Sequence, residues 1–320
     1  MNDLRFALRS LRKTPGFTAA AVVTLALGIG ANTAIFSTVD AVLFRPLPFH
    51  DAGRLVLVGE GLPIISSKNF GSLSDADYLD YHRLDGSIFE SSAAFEATAG
   101  TLTGSGAPEW LTGLQTAPSL LHMLGLSPAL GRDFQDADAA PGAPDVVLLS
   151  DALWHRRFGG DPGVIGRAIV LDGHPTTVVG VLPPRLVFPL PGLGPKPADF
   201  FVPFRVTPFA LQHRADSYDA FMIARLAAGV PLARARAAVS AIAAGIPARY
   251  PDSYGPSLRL VADAFPLRDR AVSGVRGSLL LLLGAVACVL LIACINVSAL
   301  LLARAAARGR EAAVRTALGA

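Results

Sequence analysis

Cysteine is nearly absent from this sequence. Its 320 residues include two, Cys288 and Cys294, six apart in one apolar run. Residues 45–276 contain none, so no disulfide framework holds them and they must rely on their own core. Charge is scarce as well: 17% of the residues are charged and 52% are hydrophobic, too apolar for an ordinary soluble chain. The phosphate-cradling motif G-x-x-x-x-G-K-[ST] is missing, and so are H-E-x-x-H, C-x-x-C and G-x-S-x-G. Energy from a nucleotide would therefore have to come from a partner chain. The six histidines, at 50, 82, 122, 155, 174 and 213, form no pair at metal-ligand spacing. Nothing in the sequence asks for a cofactor.

The apolar residues concentrate in two uncharged runs. Between Lys13 and Asp40 lies TPGFTAAAVVTLALGIGANTAIFSTV, and between Arg276 and Arg304 lies GSLLLLLGAVACVLLIACINVSALLLA. As a helix, either run would extend roughly 40 Å, enough to cross a hydrocarbon core of about 30 Å. Two transmembrane helices are expected. A cleaved signal peptide is the competing reading of the first. Its apolar region would be only about 7–15 residues long and would end in a small-residue cleavage site, which the run lacks.

Flanking charge gives the orientation. Arg5, Arg9, Arg12 and Lys13 precede the first span, and Arg304, Arg308, Arg310 and Arg315 follow the second, so both termini are expected in the cytoplasm. The formal net charge of +3 gathers largely at these flanks and makes no case for a nucleic-acid partner.

The segment between the spans reads as mixed α and β. In SDADYLDYHRL, Ser74 and Asp77 have the spacing of a capping box. APSLLHMLG and SDALWHRRFGG each start near a serine and end at a glycine, Gly125 and Gly159, which predicts two short helices. GRAIVLDGHPTTVVGVLPP holds two β-prone runs around Asp172-Gly173, a type I′ hairpin signal. From Pro183 to Pro208, recurring proline and glycine predict a surface connection or subdomain junction. A helix is expected to follow Pro231, with Leu232, Ala235, Val239 and Ile242 on its apolar face. The acidic group Asp133, Asp136, Asp138 and Asp145 departs from a calcium loop in spacing, glycine and terminal glutamate, and reads as a solvated loop.

Within the spans, Ala26 and Gly30, Gly30 and Ala34, and Gly284 and Cys288 are each four residues apart, while Asn32 and Asn296 are polar. Gly28, Gly30, Asn32, Gly284 and Asn296 are the candidate packing residues of a helix bundle or dimer. The same composition suits any two-span protein. After the second span, RGREAAVRTALGA as a helix sets Glu311 and Arg315 one turn apart, with Arg308 just before them and Leu318 on a mild apolar face. It reads either as a positive-inside flank or as a docking helix.

Several long strings resemble one family. They are the opening MNDLRFALRSLRKTPGFTAAAVVTLALGIGANTAIFSTVDAVLFRPLP, the block from LLHMLGLSPALGRDF to VVGVLPP, and the closing LLGAVACVLLIACINVSALLLARAAARGREAAVRTALGA. Together they are similar to the MacB-like and FtsX-like permeases of ABC transporters, of the duplicated-permease type. The resemblance implies a membrane protein in which two transmembrane helices flank an α+β, MacB-like periplasmic core domain. Residues 1–16 would be cytoplasmic, 17–44 the first span, 45–276 the outward domain in two subdomains, 277–303 the second span, and 304–320 a coupling helix.

The resemblance also implies a non-catalytic role in the bacterial inner membrane. ATP hydrolysis on a cytoplasmic ABC ATPase would be converted into movement of the outward domain, for export or for control of outside enzymes. Arg308, Glu311, Arg315 and Leu318 would face that ATPase, with membrane lipid and a permease homo- or heterodimer as further partners. Relatives continue into two more spans, so the chain is expected to be a fragment. A two-span receptor shares the topology but should carry a heptad linker, and a membrane-anchored enzyme should carry a catalytic constellation.

Overall fold

The computed structural model describes residues 15–45, 47–62, 71–104, 106–184, 197–255 and 258–317. The chain divides into two compact units, Met1–Arg45 with Val272–Ala320, and Pro46–Ala271.

In chain order, the first unit opens with helix α1 (Pro15–Val39), whose first residue supplies the φ that a helix start requires. It closes in a π-turn, Asp40–Phe44, where the Arg45 amide donates to the Asp40 carbonyl at 3.0 Å. The second unit carries β1 (Leu55–Gly61), α2 (Asp75–His82), β2 (Phe89–Thr103), β3 (Glu109–Thr116), α3 (Ser119–Leu124), β4 (Leu130–Gly131), β5 (Val146–Leu149) and α4 (Asp151–Phe158). It continues through β6 (Ala168–Leu171), β7 (His174–Val181), β8 (Phe200–Pro203), α5 (Pro208–Gln212), β9 (Phe221–Leu226), α6 (Leu232–Arg249), α7 (Pro251–Tyr254) and β10 (Val261–Pro266). Helix α8 (Leu267–Ala317) follows β10 with no intervening residue.

Val22–Val39 in α1 and Leu267–Ala299 in α8 are long and apolar enough to cross a membrane. Their hydroxyls are satisfied locally: Thr33 donates to Ile29 O, Thr38 to Ala34 O and Ser298 to Cys294 O, at 2.8, 3.0 and 2.8 Å. A helix in lipid needs such internal partners because no water is available to it.

The α+β unit is built on one sheet in the order β10-β1-β9-β2-β3-β8-β5-β7-β4, with β6 pairing β2 and β7. Alternation along its strands loads both faces. Val56, Val58, Ala94, Met222 and Ala224 point toward Tyr81, Ala235, Val239 and Ile246 of α2 and α6. Their neighbours Leu55, Leu57, Ala93, Phe95 and Ile223 form the opposite cluster with Leu120 and Leu124 of α3. In the other half, Val147, Leu149 and Phe200 pack with Leu153 of α4, while Val146, Leu148 and Phe201 pack with Leu121 and Phe134.

The local signals act as their chemistry dictates. Gly125 and Gly159 end α3 and α4 at φ 74° and 65°, and Ser150 Oγ accepts from the Leu153 amide at the start of α4. Asp172 and Gly173 take φ 50° and 81° in the β6–β7 turn. Helix α6 buries Ala235, Val239, Ala243 and Ile246.

The Ser74–Asp77 capping box does not form. Ser74 precedes α2, but no side-chain cap bond is made there, because Asp77 is turned inward to Arg214 and Tyr254. Two members of the acidic group 133–145 are held by arginines: Arg132 bonds both oxygens of Asp138, at 2.6 and 3.0 Å, and Arg205 bonds Asp145 at 2.8 Å. Of the proline-rich connection, residues 185–196 lie outside the described ones.

Candidate functional site

Two places where the chain passes between the apolar helices and the sheet fall at one end of a single ladder. Strand β1 begins at Leu55, shortly after α1, and β10 ends at Pro266, immediately before α8. The two strands are antiparallel neighbours with Val56 opposite Pro266, so the first residues of one strand lie beside the last of the other. Phe49, ahead of β1, and Leu267, the first residue of α8, are buried in one cluster with Leu55, Leu57, Phe95, Leu120 and Ile223.

A buried arginine ties the loop ahead of β1 to the end of α3. Arg225, in the middle of the sheet on β9, is 2% exposed. Its Nη1 donates to the Asp51 carbonyl at 3.1 Å and its Nη2 to the Met123 carbonyl. Met123 O is one of the carbonyls a helix C-terminus leaves without an internal partner, and a cation there also meets the negative end of the helix dipole. Burial pulls the Arg225 guanidinium down from its usual ionisation range.

Arg54 makes a second tie, to Asp51 Oδ2 at 3.0 Å, Glu90 at 2.8 Å and the Leu226 carbonyl at 3.1 Å. Its hydrogen bond holds the Asp51 carboxyl below its normal value. The His50 amide donates to Leu124 O at 3.3 Å. This approach requires glycine next door: a Cβ on Gly125 would meet His50 Cβ at 2.8 Å, and the residue sits at φ 74°.

The packing residues expected in the spans are placed as follows. Gly28 is buried, and a Cβ there would meet Leu290 at 3.3 Å and Ala293 at 3.6 Å, so the two apolar helices approach closely at this glycine. A Cβ at Gly30 or Gly284 would meet nothing within 4 Å. Asn32 is half-buried and Asn296 exposed. Arg308, Glu311 and Arg315 lie on the backbone of α8, but their side chains, and Leu318 altogether, are outside the described residues.

A cleft of about 520 Å³ opens elsewhere on the sheet, lined by Glu109, Trp110, Ser150, Arg156 and Asp199 among others. Arg156 in it is neutralised by Glu109 and Asp199 at 2.9 and 3.0 Å, and Ser150 is committed as the α4 cap. That arrangement supplies no activated nucleophile. Among the described residues, no group of His, Cys, Asp or Glu is arranged to hold a metal.

The model of the MacB-like periplasmic core domain matches residues 18–242. The chain belongs to that family. It is an ABC-transporter permease relative with the domain set between two apolar helices. Solved structures that it is similar to include a permease-protein domain from Porphyromonas gingivalis, at 17% identity and TM-score 0.49, covering 68% of this chain and 92% of that one. Another is the periplasmic region of MacB from Actinobacillus actinomycetemcomitans, at 12% identity and TM-score 0.45, covering 76% and 98%. A third is the extracellular domain of the noncanonic ABC-type transporter YknZ from Gram-positive bacteria, at 15% identity and TM-score 0.41, covering 65% and 98%. No curated protein matches the sequence.

Neither Arg225 nor the β1–β10 junction stands out in the sequence. Arg225 sits in FMIARL, where a single arginine in an apolar strand gives the one local hint of a buried partner.

Proposed function

We propose that the chain is the permease component of an ABC-type export or mechanotransmission system in the bacterial inner membrane, with both termini in the cytoplasm. ATP hydrolysis on a partner ATPase then moves the α+β domain on the periplasmic side. The observation that supports this best is the shared junction: Phe49 and Leu267 lie in one core cluster, at one end of a hydrogen-bonded strand pair. A close-packed core has low compressibility and transmits strain. A displacement of Phe49 or Leu267 would therefore be passed to the strands they pack against.

The C-terminal stretch of α8 completes this reading. Arg308, Glu311, Arg315 and Leu318 are the residues assigned to contact with the ATPase, with lipid around the spans and a second permease, identical or related, as further partners. Co-purification with a candidate ABC ATPase tests it. A stable complex that Glu311→Lys and Arg315→Glu each disrupt is expected. A complex that forms equally well with both replacements would remove the docking role of this stretch.

A further inference from the structure

Three carboxyl groups are buried together in the α+β domain. Glu60 on β1 and Asp77 and Asp80 on α2 are 3%, 0% and 1% exposed. Two arginines face them from other elements. Arg214 Nη1 donates to Asp77 Oδ1 at 2.7 Å and to Asp80 Oδ2 at 2.8 Å, and Arg249, at the end of α6, donates to Asp80 Oδ1 at 2.5 Å. Arg83, largely exposed, stands 3.5 Å from Asp80. Among the described residues no arginine or lysine pairs with Glu60. Its Oε1 accepts from the Tyr81 hydroxyl at 2.6 Å and its Oε2 from the Ser74 amide at 3.2 Å.

The other titratable groups facing the pair are phenols. Tyr254 donates to Asp77 Oδ2, Tyr218 faces both carboxyls, and Tyr250 lies under the Arg214 guanidinium at 3.6 Å.

Charge and hydrogen bonding lead to one conclusion. Both aspartates have guanidinium partners and, among the described residues, Glu60 has none, and a buried carboxylate without a cation costs far more than a neutral acid. Tyr81, whose hydroxyl donates to Glu60, stands one helical turn from Asp77 on α2, so the two carboxyls belong to one buried cluster.

We propose that Glu60 is a proton-binding site, whose buried carboxyl, clustered with Asp77 and without a cation of its own, holds one proton at neutral pH and releases it as the medium turns alkaline. In agreement, burial, followed by the charge of Asp77, pushes the Glu60 carboxyl well above its ordinary range, and burial raises Asp77 despite its bonds to Tyr254 and Arg214. The bound proton keeps β1, α2, the segment carrying Arg214 and Tyr218, and the end of α6 in one network. Because an unfolded glutamate titrates near 4.3, unfolding above that pH releases the proton. The unfolding constant then rises about tenfold per pH unit until the folded site itself titrates.

The full chain in nanodiscs tests this in two ways. Infrared spectra of wild-type protein carrying ¹³C-carboxyl glutamate, taken at pH 8, are expected to show a protonated glutamic acid band that is missing from Glu60→Gln. Urea unfolding followed by Trp110 and Trp154 fluorescence is expected to show the unfolding constant rising with pH above about 5 more steeply in the wild type than in Glu60→Gln, by up to about tenfold per unit. Absence of the protonated band in the wild type overturns the proposal even if Glu60→Gln fails to fold. So does a Glu60→Gln profile that still rises like that of the wild type.

Discussion

Replacing Arg225 by methionine isolates the tie between the end of α3 and the loop ahead of β1. Methionine fills a similar volume but donates nothing, so the carbonyls of Asp51 and Met123 lose the guanidinium. A hydrogen bond to a charged group contributes about 1.5–3 kcal/mol. Two such bonds are offset in part by the cost of burying a guanidinium, whose sign is visible in the lowered ionisation of Arg225. The expected net loss is about 2–3 kcal/mol, or a rise in the unfolding constant of roughly 30- to 140-fold.

Urea unfolding of the full chain in nanodiscs, read by tryptophan fluorescence, measures that loss. Amide exchange at His50, whose N–H donates to Leu124 O, reports whether the junction itself loosens. Arg225→Lys, able to serve one carbonyl, should fall between the two. Wild-type stability together with unchanged His50 exchange in Arg225→Met would refute the reasoning.

Other predictions concern separate parts of the molecule. Glu96 on β2 is pushed up to about 7, first by burial and then by the charges of Asp75 and Asp219. An acid raised in the folded state favours folding when protonated, so stability should fall as pH rises from about 4.5 to 7 and level off above. Glu96→Gln should shrink the difference in Tm between pH 5 and pH 8. Gly28→Leu should clash with Leu290 and lower the melting temperature in detergent, and Leu290→Ala should restore part of it by vacating the space. At Gly131, φ is 79° and a Cβ would lie 2.3 Å from Val179 O, so Gly131→Ala should cost at least about 2 kcal/mol in urea unfolding.

Features set by neighbouring residues were legible in the sequence. Gly125, Gly159 and Ser150 mark helix ends through the backbone geometry and hydrogen bonds they allow, and Asp172-Gly173 adopts a turn that few other pairs accept. The apolar helices declare themselves by length. What could not be read was set by partners far away in sequence. Asp77 has the spacing of a capping residue, yet Arg214, 137 residues on, turns it into the core. Strand β2, FESSAAFEATAGTLT, is poor in β-branched apolar residues and is held by β3, β6 and β9. The pairing of β1 with β10 joins two ends of the domain some two hundred residues apart, which no local pattern encodes.

The central claim, that a partner ATPase drives the α+β domain through its junction with the apolar helices, has a direct measurement. Hydrogen exchange is followed in nanodiscs holding this chain and a co-purifying ABC ATPase, with ATP and vanadate or with no nucleotide. Exchange at residues 47–54 and 261–271 is predicted to change with nucleotide, and only when the ATPase is present. Identical exchange at both stretches with and without ATP, in a complex shown to hydrolyse it, would contradict the account.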